Sequence, residues 1–140
     1  MFRPIRFCLT LLISLLALYG MARLLFLLAG FPVSLSPAPF ACIVIAALLE
    51  GHHYGKSNKK RPSRDATWVA AISMTAMSVL VLDAIYAVFR IFSPSHIASL
   101  SQIDPVNFAF ALIGLSVATC VAVRFSYEAG LKLVLDRYTS

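Results

Sequence analysis

From Phe7 to Ala29 the chain runs 23 consecutive residues with a single charged side chain, Arg23. A segment apolar all the way round does not make one face of a small soluble core. It does match the roughly 20 apolar residues that a helix needs to cross a bilayer. In lipid every backbone N–H and C=O must be satisfied internally, so such a segment is read as a helix. Three more apolar runs follow it. The surrounding composition agrees, with 60% hydrophobic and 13% charged residues and a mean hydropathy of +0.86. Soluble domains carry about 45–50% and about 25%. In 140 residues, four spans and short connections use the whole length. The expectation is one integral membrane domain, an all-α bundle of four transmembrane helices, with no segment long enough for a soluble catalytic domain.

Local signals place these helices near residues 4–30, 37–54, 64–92 and 105–136. Pro4 suits a first helical position, and Gly30-Phe31-Pro32 reads as a stop. Ser36-Pro37 opens the second helix and Tyr54-Gly55 closes it. Pro62-Ser63 precedes the third, which Ser93-Pro94 ends. Asp104-Pro105 combines a capping carboxylate with Pro at the first position. Beyond Val123, Arg124, Glu128, Lys132 and Asp136 recur every four residues while Phe125, Leu131, Leu133, Val134 and Leu135 stay apolar. The fourth helix is thus expected to continue as an amphipathic tail in the headgroup layer. Ile97, Leu100 and Ile103 suggest a surface-lying turn between helices three and four. A secretory signal reading competes for the first helix, with Arg3 and Arg6 as its basic region and Gly20-Met21-Ala22 as a cleavage site. Because the apolar run resumes at Leu24, an uncut anchor is the better account.

Charge then orients the chain. Net charge is +6, and ten Lys and Arg fall on the side of the N-terminus: Arg3, Arg6, Lys56, Lys59, Lys60, Arg61, Arg64, Arg124, Lys132 and Arg137. The other two connections carry none. Positive charge in short loops marks the cytoplasmic side, so both termini are expected there. The basic connection (Lys56, Lys59, Lys60, Arg61, Arg64) is suited to anionic lipid headgroups at about 1 kcal/mol per charge. No nucleic-acid role is expected from a run this short and nonspecific.

Two charges stand inside apolar helices. Arg23 and Asp83 lie at similar counted depths, about 12–14 Å below the outer face, and are opposite in sign. Such groups usually face the interior and pair. The sequence therefore predicts an ion pair between helices one and three, with Arg23 snorkelling outward or Asp83 exchanging a proton as the alternatives. In the fourth helix Gly114, Ala118, Ala122, Ser126 and Gly130 put a small residue at every fourth position. That stripe is expected to be buried in protein, within the chain or between copies. Gly51 and Gly55 share the spacing, but the polar residues between them make that match weaker.

Cys8, Cys42 and Cys120 lie in separate apolar runs and read as small buried side chains. His52 and His53 are adjacent and point about 100° apart on a helix, so no metal site is expected; nor is any cofactor. There is no phosphate-binding loop and no nucleophile with a credible basic partner.

Glu50-Gly51, the basic stretch to Arg61-Pro62, and Trp68 opening an apolar helix together resemble a family of uncharacterised bacterial inner-membrane proteins of about this length. That family often has an acidic residue just before the Trp, where this chain has Ala66-Thr67. The resemblance implies a four-helix architecture and a bacterial inner membrane, and it implies no activity. The functional expectation is a non-catalytic membrane protein acting through helix or lipid contacts, with itself or another membrane protein. A small transporter or channel subunit using Asp83, with Glu50, as a coupling carboxylate is the alternative.

Overall fold

The computed structural model describes residues 4–30, 38–92 and 105–136. They form four helices in chain order: α1 (Pro4–Ala29), α2 (Ala38–Asn58), α3 (Arg64–Phe92) and α4 (Pro105–Leu135). The Ser36-Pro37 start, the turn around Ile97, and Asp104 lie outside the described residues.

The end of α1 and the start of α3 follow the local signals. Gly30 takes a positive φ of 66°, and its N–H reaches the Phe26 carbonyl at 3.0 Å, the left-handed geometry that closes a helix. Ser63 caps α3, its Oγ accepting from the Ala66 N–H at 3.2 Å. α2 departs from expectation: it passes Gly55 and ends at Asn58. The turn comes at Lys59, whose φ is 49° and whose N–H bonds the Gly55 carbonyl at 2.9 Å. Gly55 serves packing against α4 instead.

Among the described residues, three helices are long and apolar enough to cross a membrane, at Pro4–Leu28, Arg64–Val88 and Ala109–Leu135. The apolar runs of the sequence suggest four. α2 falls short because Glu50, His52, His53, Lys56, Ser57 and Asn58 occupy its last turns. It is also packed against all three other helices, so protein covers much of what lipid would otherwise meet.

The helices form a four-cornered bundle in which α1 and α4 each contact α2 and α3. α1 and α4 occupy opposite corners, and their backbones do not approach one another among the described residues. The core gathers toward the end where α1 and α3 begin and α2 and α4 finish, hereafter the basic end. Phe7 and Leu11 of α1, Ala46 and Ala47 of α2, Ala71 and Met74 of α3, and Val123 and Tyr127 of α4 are buried there. Toward the opposite end the helices part. α4 is exposed at every described position from Ala109 to Ala118, and α1 from Arg23 to Leu28.

The buried hydroxyls are satisfied locally. The hydroxyls of Thr75 and Ser78 donate to the carbonyls of Ala71 and Met74 at 2.9 and 2.8 Å. Thr119 does the same to Leu115 at 2.7 Å. Each hydroxyl back-bonds one turn down its own helix, a local solution that needs no partner from another helix.

Candidate functional site

The helices approach most closely between α2 and α4, which run in the same direction. Gly51 of α2 lies so near α4 that a Cβ would fall on the Tyr127 carbonyl oxygen, with the carbonyl carbon at 2.9 Å. Gly130 of α4 mirrors this: a Cβ there would fall on the Leu48 carbonyl oxygen and stand 2.8 Å from the His52 nitrogen. At Gly55 it would meet the Val134 Cβ at 3.3 Å. Absent side chains are what let the two backbones touch. The polar Gly51-to-Gly55 segment, weak as a sequence signal, is thus the tightest helix contact. The signal that reveals it is its pairing with Gly130 one helix away.

The predicted stripe on α4 divides. Gly130 is buried, Ala122 and Ser126 are half-buried, and Gly114 and Ala118 are exposed. At Gly114 an added Cβ meets nothing within 4 Å. The stripe packs inside the chain over its basic-end half alone.

Beside this contact lies an ion pair that sequence reasoning missed. Arg6 of α1 holds Glu50 of α2 with both ends of its fork, Nε to Oε2 at 3.0 Å and Nη2 to Oε1 at 2.8 Å. Glu50 is 4% exposed and Arg6 31%. Bidentate geometry makes this among the stronger pairings available to a carboxylate. Tyr127, also buried, stacks its ring at a tilt on Tyr54, centroids 6.2 Å apart. One turn earlier on α4, the Arg124 guanidinium sits 4.1 Å above the centre of the Trp68 ring and donates to Glu128 at 3.0 Å. That bond realises the four-residue charge spacing of the tail. Glu50, Gly51 and Trp68 are therefore points at which α2 and α3 engage α1 and α4.

Arg23 and Asp83 present the opposite picture. Each stands nineteen positions into its helix, counted from Pro4 and from Arg64, about 28 Å along the axis. Both side chains are exposed. Neither takes part in an ion pair or side-chain hydrogen bond among the described residues, where the pairs formed include Arg6–Glu50 and Arg124–Glu128. The predicted Arg23–Asp83 pair is not made within the chain. Level is one reason, since Val81, Ala84, Ile85 and Val88 share a groove with Leu12, eleven residues before Arg23. Rotation is the other, since Phe7, Leu11 and Leu18 turn one face of α1 to the core, and Ala71, Met74 and Ser78 do so for α3. At 100° per residue, Arg23 and Asp83 fall well away from those faces.

The five residues of the basic connection, Lys56, Lys59, Lys60, Arg61 and Arg64, are all exposed. Arg61 and Arg64 also line a cleft of about 430 Å³ closed on its other side by α4. His52 and His53 are exposed. Cys42 is buried, and Cys8 and Cys120 are half-buried, all three free thiols. No protein-family model matches the chain, and no match was found among curated proteins or solved structures.

Proposed function

We propose that this protein is a non-catalytic, multi-pass membrane protein that works by associating laterally, with a second copy of itself as the first partner to test. In this reading all four helices cross the membrane, both termini face the cytoplasm, and the membrane is a bacterial inner membrane, as the family resemblance implies. One observation carries the reading: Arg23 and Asp83 are exposed and unpaired on helices otherwise covered in apolar side chains. A charge at the centre of a spanning helix costs about 2.5–3.5 kcal/mol on insertion scales. The two have opposite sign, so Arg23 of one copy can neutralise Asp83 of the next. The parted outer halves of the helices, with Gly114 and Ala118 open, offer small-residue surface for the same approach.

The test is co-capture from membranes with two differently tagged copies. Arg23→Glu alone and Asp83→Lys alone should each lower self-capture by about tenfold, the effect of roughly 1.4 kcal/mol. Co-expressing the two variants should restore capture between them. Across that mixed interface one contact keeps the native Arg23–Asp83 pair, and the other carries the same pair with its signs exchanged. Undiminished self-capture by both single variants, or a wild-type chain that is monomeric in the membrane, defeats the reading.

A second reading, a small transporter or channel subunit, draws on the same unpaired carboxylate. The groove between α1 and α3 weighs against this, being lined by Leu12, Val81, Ala84, Ile85 and Val88, an apolar set that does not include Asp83. Loss of solute flux in Asp83→Asn at unchanged self-capture would favour the transporter.

A further inference from the structure

The cleft at the basic end brings together residues far apart in sequence. Arg61 comes from the connection before α3, Arg64 opens α3, and Lys132 projects from the last turn of α4. The single acid on its wall, Glu128, is held through one oxygen by Arg124 at 3.0 Å, so three cations stand against one partly neutralised carboxylate and the cleft is positive on balance. Thr67 steadies the Arg64 turn, its hydroxyl donating to the Arg64 carbonyl at 2.7 Å. A volume of about 430 Å³ falls in the range of small-ligand pockets, about 300–1,000 Å³.

The lining is graded along the helix axis. Phe125, an exposed aromatic, stands seven residues before Lys132, about 10 Å farther toward the middle of α4. Cations near the helix end and an apolar ring two turns deeper match the two parts of an amphiphile. We infer that this cleft binds one anionic glycerophospholipid, its phosphate held by Arg61, Arg64 and Lys132 and the start of its acyl chain lying on Phe125. A free phosphate would use the cations and leave Phe125 without a role. Lys56, Lys59 and Lys60, although part of the same basic run, do not line the cleft. They contribute diffuse surface attraction. The inference rests on the membrane embedding of the proposed function but not on self-association.

The experiment places the full chain in phosphatidylcholine nanodiscs doped with phosphatidylglycerol and counts the retained anionic lipid by native mass spectrometry. Arg61→Gln/Arg64→Gln/Lys132→Gln should lower the retained fraction by about tenfold. Lys56→Gln/Lys59→Gln/Lys60→Gln removes equal charge and should change it by less than about twofold. In the unmodified chain, a phosphatidylglycerol with a photoreactive group near the head of its acyl chain should label residues 125–132, which tests the site even if a triple variant does not fold. Equal losses in the two triple variants, labelling spread evenly over all helices, or displacement of the lipid by glycerol phosphate at matched concentration overturns the inference. Retention of the site in a chain that fails the co-capture test leaves the lipid site standing and removes only self-association.

Discussion

At the scale of single residues, the decisive contrast is between charges that found partners and charges that did not. Glu50 is almost fully buried, and its two oxygens are both used by Arg6. Removing one member of such a pair leaves an uncompensated charge, whereas removing both leaves an apolar contact. Arg6→Leu is therefore expected to destabilise the fold by about 3 kcal/mol, and Arg6→Leu combined with Glu50→Leu by clearly less. Unfolding in mixed detergent, followed through Trp68, the single tryptophan, measures both; equal losses would show that the pair does not act as a unit. Glu50 and Arg6 were legible as residues, one beside a helix end and one in a basic flank. Their mutual recognition was not, since it spans 44 positions of sequence.

Among the elements, α2 and α4 form the spine of the bundle because glycine lets their backbones touch. Gly51 and Gly130 each face a backbone carbonyl on the other helix, and backbone cannot swing aside as a side chain can. Gly51→Ala and Gly130→Ala should each cost about 1–3 kcal/mol by overpacking. Gly114→Ala, which enters open space, should fall within about 0.5 kcal/mol of the parent. Thermal unfolding of the three purified variants discriminates, and a Gly114 variant as damaged as the other two would refute this assignment of contacts. Four-residue spacing is common to all of these glycines, and in sequence it favours Gly114 over Gly51. Only the position of the neighbouring helix separates them: α2 lies against the final turns of α4, and the first half of α4 is left open.

For the whole molecule, the asymmetry between a packed basic end and a parted opposite end fits the proposed function, with the folding core at one membrane face and the proposed association surface deeper in the bilayer. The proposed orientation makes a sharp expectation. Green fluorescent protein fused after Ser140 should fluoresce and alkaline phosphatase fused there should be silent, while phosphatase inserted after Ile97 should be active. Phosphatase activity from the Ser140 fusion would invert the topology and, with it, the positive-inside argument on which the orientation rests. An odd number of crossings, with α2 held short of the membrane, would show the same inversion at one terminus.

What the sequence by itself determined is the set of helices and most of their ends. Apolar runs, the Gly30 stop and the Ser63 cap act within one or two turns, and local geometry of about 1.5 Å and 100° per residue converts them directly into structure. Tertiary structure decided which side of each helix is covered, and therefore which charges pair. Arg23 and Asp83 agree in counted depth, yet depth is only one coordinate of a position on a helix. The level at which α1 meets α3 and their rotation away from the faces carrying Leu11 and Met74 left them unpaired, while Arg6 reached Glu50 and Gly51 met Tyr127. Those choices depend on how whole helices are set against one another, which no periodicity along a single helix encodes.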